Sequence, residues 1–254
     1  MSLPEETLPH AAACGCAACH AELAPASAAR LSRRGLMRRA MAGAAIGLTP
    51  AAFQTSFVQT AQAQSTMTPE QALQAMSEGN ERFVAGKMTS FDDDLSILKQ
   101  KTVEKQEPFA SVLSCADSRV PVELIFDQSI GHLFVCRVAG NIATAELIAS
   151  LEYGSIVLGS KAIMVLGHRN CGAVVASIAA KEVPGQISNL YSYIRPAVDT
   201  AGSDVAAVTR ANVINQVKIL KESSPALAGL IKKQELAVAG GVYDLETGKV
   251  EMVA

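Results

Sequence analysis

Two stretches constrain this chain more than anything else in it. Phe109 to Leu113 is apolar and runs into Ser114-Cys115-Ala116-Asp117-Ser118-Arg119-Val120. Ala162 to Leu166 is a second such run and leads into Gly167-His168-Arg169-Asn170-Cys171-Gly172. Each polar piece is followed by residues able to start a helix. That is the pattern of two strand ends feeding loops on one edge of an α/β sheet, where folds of this class place their sites. Two thiols, one imidazole and one carboxylate then converge.

That donor set suits zinc. Zn²⁺ is borderline soft, so two thiolates and an imidazole bind it well, and a tetrahedral site keeps one position over. Water in that position would have its pKa lowered from about 15.7 to roughly 7. Asp117 lies two residues after Cys115, near enough either to ligate the metal or to turn away from it. Arg119, two residues further on, can hold that carboxylate in a bidentate, charge-assisted pair. A closed Cys-Asp-His-Cys site would be structural or resting, whereas an Asp117–Arg119 pair would leave the metal open. Both readings stand at this point.

Cys-Ala-Asp-Ser-Arg-Val followed by Gly-His-Arg-Asn-Cys-Gly-Ala resembles the zinc motifs of the β-class carbonic anhydrases, over roughly Pro69 to the C-terminus. The resemblance implies Cys115, His168 and Cys171 as zinc ligands and Asp117 with Arg119 as a catalytic dyad. It also matches Gln106, Phe134 and Tyr153 to a substrate-pocket Gln, Phe and Tyr, and the Gly172 amide to a backbone donor for bicarbonate at a helix start. The implied reaction is reversible hydration of CO₂ to bicarbonate and a proton by zinc-bound hydroxide. The implied assembly is a homodimer or a dimer of dimers.

Blander readings weigh against each piece singly. Cys-x-Asp and His-x-x-Cys are common by accident, and a buried cysteine is more often a small hydrophobe than a ligand. Two such pieces at two strand ends, with Arg119 in place, argue against accident. A purely structural zinc would use four Cys or His ligands rather than an Asp beside an Arg. Two other functions stay open: hydrolysis of COS or CS₂ on the same fold, and a non-catalytic zinc- or bicarbonate-binding protein. His132, in a Gly-flanked loop, reads as a solvated residue rather than a proton shuttle. Members of the family whose Asp closes onto zinc carry a Trp in a bicarbonate site, and this chain has no Trp, which favours the open form.

Residues 1–63 read as a targeting segment rather than as fold. Ser32-Arg33-Arg34-Gly35-Leu36-Met37 is a twin-arginine pattern, followed by an apolar stretch from Ala40 to Phe53 that is short and Gly/Ala-rich for a membrane span. Ala61-Gln62-Ala63 offers a cleavage site, so the expectation is export through the twin-arginine machinery to a periplasm or thylakoid lumen, with residues 64–254 as one domain. Cys16 to His20 has haem-attachment spacing, but it precedes the export signal and is discounted as accident or as a tag lost with the leader. Residues 64–254 hold 17 basic and 21 acidic residues, a net charge of −4, so no nucleic acid or anionic membrane is implied. Of their three cysteines, two are ligand candidates and Cys136 reads as core.

The expected fold is α/β: a mainly parallel sheet with flanking helices, a C-terminal antiparallel edge strand and an N-terminal helical arm. Thr68-Pro69-Glu70 opens a helix reaching Gly86, and a second helix is expected over Asp93 to Lys105. A short helix over Val120–Phe126, a strand over Leu133–Val138 and an apolar helix over Ala143–Leu158 follow. Ile187 to Lys232 reads as two or three helices punctuated at Pro196, Gly202 and Pro225. A strand from Leu236 to Val242 precedes a hairpin turned at Thr247-Gly248.

Overall fold

A computed structural model of the chain describes residues 65–90, 103 and 105–254. The expected leader, its Cys14, Cys16, Cys19 and His20 cluster, and most of the helix expected over Asp93 to Lys105 lie outside the described residues.

The first helix among the described residues, α1 (Pro69–Val84), starts where its capping chemistry dictates. The Thr68 hydroxyl accepts from Gln71 N at 3.2 Å, and Gln71 Oε1 accepts from Thr68 N at 2.8 Å, a capping box with Pro69 in the first turn. Its buried face is Ala72, Met76, Gly79 and Asn80, a helical spacing. This stripe packs on the chain's own sheet, where Met76 joins Val112, Val122, Ile125, Phe126 and Leu166 in one cluster. Burying a methionine fully in this way contributes roughly 1.5–3 kcal/mol. Gly79 sets the approach, since a Cβ there would lie 1.8 Å from the Phe126 carbonyl oxygen. Asn80 then ties the helix to the C-terminal hairpin: Nδ2 donates to Ile125 O and Gly248 O, and Oδ1 accepts from Val250 N.

Five strands follow, β1 (Ala110–Ser114), β2 (Leu133–Arg137), β3 (Ala162–His168), β4 (Ala237–Tyr243) and β5 (Val250–Met252), in the spatial order β2-β1-β3-β4-β5. The first four are parallel and β5 pairs antiparallel with β4. β1 and β3 are buried at every position, which is why they show no alternation of apolar with charged residues; Ser111 and Ser114 are the small polar residues that β1 buries. From β1 the chain crosses to one side to form β2 and then returns past β1 to form β3 and β4. The carboxyl ends of β1 and β3 therefore flank the point where strand order reverses, the crevice in which open parallel sheets bind ligands.

The helices between strands are α2 (Val122–Ile125), α3 (Ala145–Glu152), α4 (Gly172–Ala179), α5 (Asn189–Ala201), α6 (Val205–Ser223) and α7 (Pro225–Lys232). On the face opposite α1, Leu113, Ile163 and Val165 pack with Leu151 of α3, Val213, Val217 and Leu220 of α6, and Leu227 of α7. Two elements differ from the sequence expectation. Pro196 sits inside α5 instead of breaking it; it lies on the exposed face, where the carbonyl it leaves unpaired can be hydrated. The apolar helix after β2 changes its winding after Glu152 and runs as a π-helix over Tyr153–Val157. Gly202 and Pro225 do mark breaks: Gly202 has φ +78°, and Pro225 opens α7, whose cap is the Ser224 hydroxyl accepting from Leu227 N.

Candidate metal centre

Cys115 follows the last residue of β1, His168 is the last residue of β3, and Cys171 is the N-cap of α4. The fold thus brings together three residues from two strand ends and one helix start. Their ligand atoms all lie within 4.8 Å of one another, and all three residues are buried. Cys115 Sγ and Cys171 Sγ stand 3.9 Å apart. Two thiolates each about 2.3 Å from a tetrahedral zinc would be separated by about 3.8 Å, so the sulfurs already hold the required edge. His168 Nε2 is buried with no hydrogen-bond partner, while Nδ1 contacts Arg169 O at 2.9 Å. A buried ring nitrogen without a partner is costly, whereas a metal ligand whose other nitrogen meets a backbone carbonyl is the usual arrangement. The residues fit a metal ion.

The electrostatics agree. Cys171 pairs with Cys115 and pushes the Cys115 thiol well down against the opposing effect of burial, helped by the His168 ring and by the Gly140 and Asp117 backbone. The same pairing, with burial, drives Cys171 up. Cys136 is pushed up to about 11 by burial alone and packs in the core with Leu113 and Leu151, as the sequence suggested.

Asp117 is beside the cluster but turned to Arg119. Arg119 N and Nε reach Oδ1 at 2.9 Å, and Nη2 reaches Oδ2 at 2.8 Å. This guanidinium holds the carboxyl well below the usual carboxylate range. Oδ2 lies 3.8 Å from His168 Nε2, so the carboxylate borders the ligand atoms while both its oxygens are engaged elsewhere. Arg119 Nη2 also donates to Asn170 O at 3.3 Å, and Asn170 adopts φ +54°, which turns that carbonyl toward the first loop.

Two contributors were missed in the sequence. Arg137, at the end of β2, donates from Nε to Cys115 O at 3.0 Å and from Nη2 to Asp117 O at 2.6 Å. Gly140 N donates to Cys115 Sγ at 3.3 Å. A charged residue ending an apolar strand, then Gly-Asn, was the available signal.

The expected substrate pocket is not assembled within one chain. Phe134 pairs in register with Ser111, four residues before Cys115 and so about 13 Å back along the sheet. Tyr153 packs against Phe134 with ring centroids 6.2 Å apart, and Gln106, exposed, precedes β1 at that same amino-terminal edge. The cause is topological, because α3 and its π-helical end carry Tyr153 back to the start of the strands. His132 stands at that edge too, in edge contact with Phe109 at 6.3 Å. Gly172 does open α4 beside Cys171, and a Cβ there would meet nothing within 4 Å. Its lack of a side chain leaves open space next to a helix N-terminus.

The sequence model for carbonic anhydrase matches residues 110–250. The chain belongs to the carbonic anhydrase family. It is 36% identical over 189 residues to carbonic anhydrase 2 of Mycobacterium tuberculosis, covering 71% of this chain and 91% of that one. The β-carbonic anhydrase of Coccomyxa in complex with acetazolamide superposes with a TM-score of 0.57 at 27% identity, covering 74% and 87%. One of two tetrameric β-carbonic anhydrases of Sordaria macrospora shares the fold with a TM-score of 0.58 at 22% identity, covering 73% and 98%. The chain is thus a β-class carbonic anhydrase by sequence and fold, and the Cys-His-Cys cluster and its flanking carboxylate all fall inside the matched region.

Proposed function

We propose that Cys115, His168 and Cys171 hold zinc, and that this chain catalyses the reversible hydration of CO₂ to bicarbonate and a proton. The observation that carries the reading is the buried, unpartnered His168 Nε2 among two cysteine sulfurs, bordered by a carboxylate that Arg119 keeps turned away. Bound zinc would act as a Lewis acid that lowers the pKa of water to near neutrality. Asp117, ionised and acceptor-only, takes a hydrogen bond from the attacking oxygen and orients its lone pair toward carbon. Arg119 fixes that carboxylate and bridges it to the Asn170 carbonyl, which holds both ligand loops at one spacing. The Gly172 amide, at the start of α4 beside Cys171, stabilises the developing bicarbonate charge.

The apolar wall of the pocket is assigned to a second copy of the chain. Phe134 and Tyr153 lie far from Cys115 in their own chain, and Tyr153 and Ile156 are 46% and 47% exposed. A two-fold dimer that covers this surface would carry Gln106, Phe134 and Tyr153 to the other copy's metal centre. Export follows from the Arg33-Arg34 pattern, and replacing both with Lys is expected to leave the protein in the cytoplasm; unchanged export would refute it.

The function is tested by assaying CO₂ hydration and COS and CS₂ hydrolysis on one preparation starting at Gln64. Fast CO₂ hydration supports the proposal. Turnover of COS or CS₂ without CO₂ hydration would assign the site to the other substrate class.

A further inference from the structure

Two side-chain amides lie on the buried face of α6, which is otherwise apolar but for Thr209. Asn212 and Gln216, one turn apart on α6, are 1% and 0% exposed, among the buried Val208, Val213, Val217 and Leu220. Burying an amide costs free energy unless its groups are paired. Here the pairs converge on one loop. Asn212 Nδ2 donates to Gly140 O at 2.9 Å, and Gln216 Oε1 accepts from Ala143 N at 2.8 Å. Gln216 Nε2 donates to Asn212 Oδ1 at 3.0 Å and to Tyr193 O of α5 at 3.3 Å. The loop from Gly140 to Ala143 is therefore held at both ends by one helix.

Gly140 is also the residue whose N–H meets Cys115 Sγ at 3.3 Å. Its φ is +80°, and a Cβ would fall 2.8 Å from Ile194 Cδ1 of α5, so the position favours glycine. The glycine is gripped through its carbonyl from α6 while its amide points at sulfur.

We propose that Asn212 and Gln216 are positioning residues of the metal centre, which fix Gly140 so that its N–H stays on the Cys115 sulfur. This rests on the reading of Cys115 as a metal ligand. A hydrogen bond to a thiolate draws charge from sulfur, weakens its donation and leaves the metal more electron-poor, the way outer hydrogen bonds tune a site. An amide pair that only filled space would, on replacement, lower stability and leave the metal's electronic state alone.

The test uses the full chain loaded with cobalt(II), in wild type, Asn212→Ser, Gln216→Met and, as a control for lost packing on the same helix, Leu220→Ala. Both amide variants are expected to shift the sulfur-to-cobalt charge-transfer band to longer wavelength, because a thiolate without its donor releases an electron more readily. Leu220→Ala should lower Tm and leave the band in place. Wild-type protein loaded with cadmium-113 should show scalar coupling between the metal and the Gly140 amide proton across Cys115 sulfur, a readout that needs no variant to fold. Folded amide variants with an unmoved band, or no such coupling in the wild type, would overturn the proposal. A cobalt protein with no sulfur-to-metal band at all would remove the metal reading itself, and the positioning role with it.

Discussion

Arg119 engages both oxygens of Asp117 and reaches across to the Asn170 carbonyl with the same Nη2. One guanidinium thus ties the loop after β1 to the loop after β3. Lysine carries the charge but not the planar fork. Arg119→Lys should therefore lower kcat by about 10²-fold or more, with metal content unchanged. Metal analysis and kinetics on one preparation check this; wild-type kcat in a metal-loaded Arg119→Lys protein would contradict it.

Asp117 gives a separable prediction. An amide at this position can neither accept as strongly nor pair with Arg119, yet it leaves Cys115, His168 and Cys171 untouched. Asp117→Asn should retain zinc while activity falls by about 10²–10⁴-fold, the range for a lost acid–base group. A variant as active as wild type would take the dyad out of the mechanism.

If the wall comes from a second copy, defects in ligand loop and wall should complement. In a mixed dimer of Asp117→Asn and Phe134→Ala chains, one site collects both defects and the other collects neither. Co-expression should recover activity that neither homodimer has. No recovery in a purified mixed dimer would place the wall in the same chain.

Asp127 predicts the acid limb of stability. Burial alone would raise its carboxyl, but bonds from Arg82, Ser90 and Thr89 hold it below the usual range, and its side chain is 0% exposed. A carboxylate depressed in the folded state stabilises above the unfolded pKa, near 3.9, and that contribution is lost as pH falls through the folded value. Asp127→Asn should cost about 1.5–3 kcal/mol at neutral pH. The gap to wild type should narrow below about pH 4, read as denaturant midpoints against pH. A gap constant from pH 7 to pH 3 would contradict the assignment.

Much of the fold was legible because its signals are local. The Thr68 cap with Pro69 in the first turn and the largely apolar runs of β1 and β3 needed no tertiary knowledge, nor did the turn at Thr247-Gly248. Both ligand loops were legible for the same reason, since each couples a strand end to metal-binding residue types. Phe134 and Tyr153 were harder. Their spacing from His168 is a distance along the chain, and only the crossover through α3 decides which edge of the sheet they reach. Arg137 and Gly140 left only a weak local signal, because their partners belong to the loop after another strand, and Asn212 and Gln216 left none, because the loop they hold lies more than 70 residues away. The change of winding falls on Gly154-Ser155, small residues that read equally well as the interior of a continuous helix.

The most direct measurement is stopped-flow CO₂ hydration on protein starting at Gln64, with zinc determined on the same sample, before and after chelation and again after zinc is restored. One zinc per chain is expected, with fast hydration that disappears on chelation and returns with the metal. Full hydration in metal-free protein, or none with one zinc bound per chain at any pH from neutral to alkaline, would contradict the assignment of Cys115, His168 and Cys171 as the catalytic metal centre.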